Sequence, residues 1–598
     1  MELWQKYYDK YLHKPIFICQ GFEKDGRFKK TPCFSHYFKG SNVDYVGRVH
    51  RFTNFRFKEV MNTSFVEFAR EKNLNLDPAM VYRKTESNLE AGMKSCAKYD
   101  RAQPVLDDGA WNLAGEWTLR HFQPFMGGSV VVSKEVAMRE SDRMTSAGFP
   151  WNMKYKNKGA FYDVANACAV LDDFWEELAI AEELDSNVMR PIWLCSEKDE
   201  LRTVKKIQSN DNRTFTASPV EHTISLSRMC IDANNKFYRS NGKTWSFVGG
   251  NKYLAGFDTL YHRLDKHPNA FELDESQYDS SLFARAMFGQ MELRWECLSE
   301  AERMGDRGKL NRRRLERLYE DIVHSVIVLE NGELIQKHTG NPSGSGNTIV
   351  DNTCILFRLF AYAFIVLNKE VNGEENKRLV LQANTPSILD RVYGLPRFGS
   401  YKDFMDHVEA ALNGDDNTYT CSDEIVGWFN PINIGRVWTG IGVTTKTPCE
   451  TPRKLSECTF LSQGWTLYTE RGSPLWLPRP ETDRILSSLM WGSNVDDVRW
   501  HLLRACALRI DSWGNEECRV ILKSYIEWLW LNHADSMVGS VNDIDMSSIM
   551  AVRKSDDWIY GLYSGFEGLV DPRVESFKFP FIHCHTDLSF LSQVENSF

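Results

Sequence analysis

No C-x-x-C pair and no zinc-ribbon spacing occurs among the fourteen cysteines of this chain. Their scatter argues against a secreted disulfide framework and fits free, mostly buried thiols in a reducing compartment. The one compact His/Cys group is His583-Cys584-His585. Neighbours on a strand point to opposite faces, so three in a row make a poor tetrahedral site, and no metal is expected there. Met1 to Gly21 lack a long apolar core and a small-residue cleavage site, so no secretory signal is read. The most apolar run, Cys354 to Leu367, is interrupted by Arg358 and is too short for a membrane span. It reads as a buried helix, which leaves no intrinsic membrane segment. Nor is there an excess of positive charge. A net charge of −9 argues against a general nucleic-acid coat, yet it permits an enzyme with basic groups along an internal channel and acids outside. Repeats, low-complexity tracts and Pro/Gly/Ser linkers are absent too. What remains is an ordinary globular balance, 42% hydrophobic and 26% charged over 598 residues, long enough for several lobes.

Local patterns divide the chain into a mixed first part, a middle that carries the chemistry and a mainly helical end. The pattern LDDFWEELAIAEEL around Asp172 to Glu183 reads as an amphipathic helix. After Ser281, the spacing of Phe283, Met287, Met291 and Trp295 predicts a long helix. Toward the C-terminus, RILSSLMW, WHLLRACALRI and VILKSYIEWLWL each carry apolar residues at helical spacing.

Two carboxylate sites stand out in the middle. In Phe271-Glu272-Leu273-Asp274-Glu275-Ser276-Gln277-Tyr278-Asp279-Ser280-Ser281, a short strand delivers Asp274 at its end, just before the helix. The bland alternatives are a turn role for Asp274 and a helix N-cap role for Asp279. In Ala411-Leu412-Asn413-Gly414-Asp415-Asp416-Asn417-Thr418-Tyr419, Asn-Gly between an apolar and a β-prone run signals a hairpin. An acidic β-turn is the bland alternative. Adjacent carboxylates at a hairpin tip, beside a third on a neighbouring strand, are also the hard oxygen donors that suit Mg²⁺ or Mn²⁺.

Between the two sites lies Pro342-Ser343-Gly344-Ser345-Gly346-Asn347-Thr348-Ile349-Val350-Asp351-Asn352. Its small residues allow close approach to a sugar and backbone, and Thr348 and Asn352, four apart, share one helical face. Upstream, Lys198, Arg202, Lys206 and Arg213 form a basic ladder able to line a triphosphate path, with a solvated mixed-charge face as the alternative. Earlier still comes Thr145-Ser146-Ala147-Gly148-Phe149-Pro150.

The order of these segments resembles the motif series of picornavirus-like RNA-dependent RNA polymerases of positive-strand RNA viruses, with a somewhat astrovirus-like context. In that family Thr-Ser-x-Gly-aromatic-Pro precedes a Lys-Asp-Glu-Leu-Arg ladder. Asp-x4-Asp, Ser-Gly-x3-Thr-x3-Asn and Gly-Asp-Asp follow. Gly442 to Pro448 and Cys458 to Ser462 look like the last palm motifs, so the resemblance spans Thr145 to about Ser462. One departure is Asn413, where the family often carries an aromatic residue.

The resemblance implies an α+β right hand, with fingers, an RRM-like palm of antiparallel sheet and helices, and a mainly helical thumb. The expected division is 1–218 for an N-terminal extension and fingers, 219–265 for palm and fingers, and 266–300 for palm. It continues with 301–338 as a fingers–palm connection, 339–465 as palm and 466–598 as thumb. By similarity, Asp274, Asp415 and Asp416 hold two Mg²⁺ ions, for which Mn²⁺ substitutes. Asp279, Ser343, Gly344, Thr348 and Asn352 sense the ribose 2′-hydroxyl. Arg213 contacts the triphosphate, and Lys198, Arg202 and Lys206 lie along the nucleotide path or the template. Thr145, Ser146 and Gly148 touch template. Lys446 and Lys454 are both candidates for the family's general acid. The expected activity is template-directed RNA synthesis from ribonucleoside triphosphates. Its partners are template and product RNA and other viral replication proteins, in the host cytoplasm at membrane-associated complexes reached through partners.

Competing readings are a reverse transcriptase, a non-catalytic polymerase-like RNA-binding or assembly protein, and a two-metal nuclease. The polar pair Asp279 and Asn352 weighs against the first, because reverse transcriptases usually screen the sugar with a bulky side chain. Intact aspartates weigh against the second, and the ribose-sensing loop against the third. The patch Arg312-Arg313-Arg314 with Arg317 is expected to be a solvated helix face, with RNA contact as the alternative.

Overall fold

The apolar run around Cys354 does become a buried helix, and the main core is assembled on it. The structure is a computed structural model. It describes residues 36–48, 59–85, 88–180, 191–382, 398–446, 451–471, 473–492, 496–537 and 546–565. The stretches read above at Met1 to Gly21 and His583 to His585, and residues 447 and 448, lie outside them. In chain order the helices of the main core are α1 (Asp108–Met126), α2 (Ala165–Ile180), α3 (Val220–Tyr238), α4 (Ala284–Cys297), α5 (Gly305–Val323) and α6 (Thr348–Gln382). The α6 window Thr348–Gly373 is long and apolar enough to cross a membrane, but 89% of it is buried inside the protein, as in a core helix. Phe357, Phe360 and Phe364 pack among Trp111, Trp245, Tyr419 and Trp438. Arg358, the charge inside that run, lies 4.1 Å over the Trp111 ring and donates to the Trp111 carbonyl at 2.9 Å. It fits because residue 115 is glycine: a Cβ there would sit 2.7 Å from the guanidinium.

The strands that position the site are β1 (Val43–Arg48), β2 (Ile192–Glu197), β3 (Thr214–Ala217), β4 (Asn269–Ser276), β5 (Val326–Val328), β6 (Glu333–Lys337), β7 (Val408–Asn413), β8 (Asp416–Cys421) and β9 (Thr444–Lys446). One sheet runs β1-β6-β5-β2-β3, with only the β2–β5 pair parallel. The other runs β7-β8-β4-β9 and is antiparallel throughout. Helices and largely antiparallel sheets segregated in this way make an α+β fold.

A second core gathers the C-terminal helices α7 (Thr482–Met490), α8 (Val498–Asp511) and α9 (Glu516–Asn532), the three whose periodicity is plain in the sequence. It is not built from that region alone. Phe65, Phe68 and Ala79 from the N-terminal part are buried in it, with Phe65 5.1 Å from Tyr525. It also includes a hairpin, Gln463–Tyr468 paired with Leu475–Pro480, that helical periodicity did not announce. The first of those strands crosses the expected boundary at residue 465.

The arginine patch is a correction. Arg314 and Arg317 are buried, not solvated. Helix α5 packs on α2, where the Arg314 guanidinium stacks 4.3 Å over Trp175 and donates to its carbonyl. Arg312 is engaged by Glu292 and Glu316. The cysteines behave as expected: all ten among the described residues are free, and nine of them are buried.

Candidate active site

Strand β4 alternates as a half-buried strand must: Leu273 and Glu275 turn inward while Asp274 is exposed. Strand β8 pairs with it antiparallel, and the last paired residues are Asn417 and Leu273. One step beyond that pair lie Asp416 and Asp274, and another step on lie Asp415 and Glu275. Residues opposite one another in such a ladder have Cβ atoms about 4.5–5.5 Å apart. The fold therefore brings Asp274, Asp415 and Asp416 to one sheet end. The hairpin that presents them turns at Gly414-Asp415, with Asn413 paired to Asp416. Gly414 has φ +70° and Asp415 does not enter the left-handed region, the pattern of a two-residue hairpin with glycine at its first turn position.

Beneath the aspartates, Asn417 acts as a brace. Its amide nitrogen donates to Leu273 O at 3.0 Å, to Asp415 O at 3.1 Å and to the buried Glu275 carboxyl at 3.0 Å. Desolvation, with the neighbouring charges of Asp415 and Asp274, pushes Glu275 well above the carboxylate range. Asp415 and Asp416 reach solvent yet are crowded by protein. Desolvation raises Asp415, and desolvation with repulsion from Asp415 and Asp274 raises Asp416 to about 6. Three carboxylates crowded into one solvent-reachable corner repel one another, and the nearby cations Lys446, Arg213 and Lys198 offset that repulsion only in part, so the corner still favours a bound cation. Among the described residues no three His, Cys, Asp or Glu side chains converge closely enough to enclose a metal by themselves. That is compatible with Mg²⁺ or Mn²⁺, which take one or two carboxylates and complete their shell with water and substrate phosphate. The donor set therefore fits such an ion.

Asp279 sits in the short helix Tyr278–Ser281, whose N-cap is Gln277 in the left-handed region, so it is not the cap. Its carboxylate accepts from Asn352 Nδ2 at 2.6 Å, and burial raises it to about 6 against that bond. Thr348 turns back on the loop, donating at 2.9 Å to Pro342 O and to Ser345 O. Ser343 donates to Thr214 O at 3.4 Å, and Gly344 lies so close to β3 that a Cβ would fall 2.4 Å from Thr216 O. Thr353 accepts from the Gly414 N–H at 2.9 Å and so ties the second turn of α6 to the hairpin tip.

Of the basic ladder, Lys198 and Arg213 exert their charge on Asp279 and Asp415. Arg213 is held charged by a two-point contact with Glu200, 2.7 Å at Nε. Lys206 is lowered by burial and by Arg202 and Lys446, and feels Asp274. Arg202 is committed elsewhere, donating to Asp211 O at 2.8 Å and pairing with its carboxylate. Thr145 and Ser146 are exposed, and Gly148 has φ +74°, where a Cβ would meet Ser218 O at 2.5 Å. That segment leans on the residues following β3, so it neighbours the Gly344 side of the loop without a direct contact to the aspartates. The two lysines separate: Lys446 Nζ is 3.1 Å from Asp274 Oδ2, paired across β9 and β4, whereas Lys454 lies beyond the strand and engages Glu457 through its backbone.

Sequence reasoning missed Asn341, Asn417 and Thr353. Asn341 donates to Asn352 Oδ1 at 2.9 Å. Asn417 and Thr353 each sit beside a residue that motif spacing picks out, and Asn341 lies two before Ser343, which is the one sequence signal they carry.

Comparison with known proteins gives a consistent result. The sequence model of the family described as viral RNA-dependent RNA polymerase matches residues 64–530. The genome polyprotein of Watermelon mosaic virus II (isolate USA) is 29% identical over 365 residues, covering 60% of this chain and 31% of the polyprotein. That of Bean yellow mosaic virus is 29% identical over 348 residues, 56% of this chain and 10% of the polyprotein. That of Lettuce mosaic virus (strain E) is 24% identical over 480 residues, 79% of this chain and 13% of the polyprotein. The chain thus spans from about a tenth to about a third of the length of these relatives, which are potyviral rather than astroviral.

Proposed function

The chain belongs to the viral RNA-dependent RNA polymerase family, and from that premise we propose that it copies a positive-strand viral RNA genome by nucleotidyl transfer at the Asp274–Asp415–Asp416 corner. In this reading the β7-β8-β4-β9 sheet with α4 and α6 is the palm of a right hand. The β1-β6-β5-β2-β3 sheet with its helices belongs to the fingers. The second core, with the N-terminal residues it captures, is the thumb.

Asp274 and Asp415 would hold two divalent cations, Mg²⁺ with Mn²⁺ as substitute, and Asp416 would support them. When bound, such ions activate the 3′-hydroxyl of the growing strand and neutralise the leaving pyrophosphate. The chain's own side chains orient and select. Arg213, fixed by Glu200, and Lys198 face the incoming triphosphate, and Lys206 lies farther along the same path. Asp279 and Asn352, with Ser343, Gly344 and Thr348 shaping the loop, recognise the ribose 2′-hydroxyl. Asp279 and Asn352 already bond to each other, so the 2′-hydroxyl would be read by the lone pairs and N–H that remain to them, and a deoxynucleotide cannot make that added bond, which supplies the discrimination. Thr145, Ser146 and Gly148 guide template. Lys446, beside Asp274, is a better-positioned proton donor to the leaving group than Lys454. Ribonucleoside triphosphates, template and product RNA and other replication proteins are the partners. The site of action is the host cytoplasm, at membranes reached through those partners.

The observation that carries this reading is the register that, continued one step past the Asn417–Leu273 pair, brings Asp416 at the β7–β8 hairpin beside Asp274 on β4. The test is incorporation of labelled ribonucleotides on a primed homopolymeric RNA template, with Mg²⁺, Mn²⁺ or chelator. Metal-dependent, template-complementary product is expected from the native chain and not from Asp415→Asn. Equal product from that variant would overturn the assignment of the corner.

A further inference from the structure

Asn352 meets Asp279 through its amide nitrogen, and a side-chain amide has two faces that differ only by a half-turn. A carboxylate only accepts, so the Asn352 NH₂ must point at Asp279 for the 2.6 Å contact to be a bond. The other end of the amide is held by a residue no motif names. Asn341 is fully buried, and its Nδ2 donates to Asn352 Oδ1 at 2.9 Å. Its own backbone N–H donates to the Asp279 carbonyl at 2.8 Å, which fixes where its side chain starts. Its Oδ1 has no hydrogen-bond partner among the described residues, so no other group competes to set the orientation of this amide. The three side chains form a relay with a single direction: Asn341 donates to Asn352, and Asn352 donates to Asp279. The backbone carbonyl of Asn352 is meanwhile held by the Tyr278 hydroxyl at 3.0 Å, which anchors the main chain from which the amide swings.

We infer that Asn341 is a positioning residue for sugar selection, locking the Asn352 amide so that its NH₂ faces Asp279 and the remaining N–H keeps one direction. This rests on the reading of Asp279 and Asn352 as the ribose sensor. Asn341 itself, fully buried, touches no substrate; it acts through Asn352. A carboxylate at position 341 tests the direction of the relay more sharply than truncation does. Ionised, it cannot donate, so Asn352 is driven to turn its NH₂ toward residue 341 and its oxygen toward Asp279. Burial raises such a carboxyl, so Asn341→Asp is assayed across pH and its loss of discrimination should grow as pH rises. Truncation merely frees the amide.

The experiment measures kcat and KM for a ribonucleotide and its 2′-deoxy counterpart on one primed template with the full chain. The variants are Asn341→Ala, Asn341→Asp, Asn341→Ser, Asn352→Ala and the double change Asn341→Asp/Asn352→Ala. Discrimination, the ratio of the two kcat/KM values, is expected to fall about tenfold in Asn341→Ala. It should fall further in Asn341→Asp and recover in part in Asn341→Ser, whose hydroxyl still donates. The double variant should discriminate no worse than Asn352→Ala alone, since the two residues act through one amide. Uniform loss of activity toward both nucleotides with the ratio intact would overturn the proposal and mark Asn341 as a packing residue. Native discrimination in Asn341→Ala and Asn341→Asp, with loss in Asn352→Ala, would overturn it while sparing the ribose sensor. Native discrimination in Asn352→Ala would remove the sensor and the proposal together. Thermal melting of each variant identifies a folding failure, and Asn341→Ser, the smallest polar change, then carries the comparison.

Discussion

Removing the Asp351 carboxylate while Arg294 stays should destabilise the protein by about 3–5 kcal/mol. The Arg294 and Asp351 side chains are 2% and 0% exposed and meet at 2.6 Å in the core behind the loop that opens at Pro342. Asp351 also accepts from the Tyr319 hydroxyl at 2.8 Å and from Gln290 at 3.2 Å, while Arg294 donates to Asn234. In Asp351→Ala the guanidinium would remain buried with its opposite charge gone, and two further donors would lose their acceptor. The penalty is for an uncompensated buried charge; the intact pair need not be strongly stabilising. Replacing both ends, Arg294→Met with Asp351→Ala, should therefore cost less than Asp351→Ala alone. For a cooperative unit of about 200 residues each kcal/mol moves the melting temperature by about 2–4 °C, so the single variant should melt roughly 6–20 °C below the native chain. Thermal unfolding followed by tryptophan fluorescence measures this for native, single and double variants. A drop under about 1 kcal/mol for Asp351→Ala, or a double variant as unstable as the two singles summed, would refute the reasoning.

That network also explains why part of the site was invisible in the sequence. Asn234, bonded to Arg294, donates to Asn347 in the loop at 2.9 Å, across 113 residues of chain. Nothing at Asn347 announces this, just as nothing at Asn417 announces contacts with a strand 144 residues away or at Thr353 a bond to a turn 61 residues on. What could be read were features whose cause is local. The Asn413-Gly414 signal lies in the turn chemistry itself, although the turn falls one residue later because Asn413 is needed to pair with Asp416. The helices α7, α8 and α9 follow from apolar spacing; α7 and α9 each bury one face against the same core, while α8 is enclosed in it on all sides. Asp279 is not the N-cap that its position before a helix suggests, because the left-handed Gln277 takes that place, a backbone detail local spacing does not carry.

The arginine run in α5 shows the opposite error. Four arginines within six residues look like a wetted face when only neighbours in sequence are weighed. Trp175, 139 residues earlier, supplies an aromatic face and a carbonyl that Arg314 satisfies in a buried setting. Phe65 and Phe68 were likewise unassignable, because their core lies beside Tyr525 at the far end of the chain. Long-range burial, not local propensity, decided each of these.

Two further outcomes are expected. Gly344→Ala should reduce nucleotide incorporation severely while the chain stays folded, because the added Cβ falls 2.4 Å from the Thr216 carbonyl and must push the loop off β3; full activity in a primed-template assay would show that the loop is free to shift. Glu221→Gln should stabilise the fold increasingly as pH rises. Burial pushes the Glu221 carboxyl up to about 7, although the Trp151 Nε1–H donates to it at 2.7 Å. Between the unfolded value near 4.5 and about 7, the folded chain retains a proton that the unfolded chain has released, so native stability falls across that window and then levels off. The full span is on the order of 3 kcal/mol. Glutamine keeps an acceptor for Trp151 and has nothing to titrate. Its melting advantage over the native chain should therefore be small at pH 4.5 and largest near pH 8. An advantage that is constant across that range would mean that Glu221 is ionised in the fold, and that the tryptophan bond outweighs its burial.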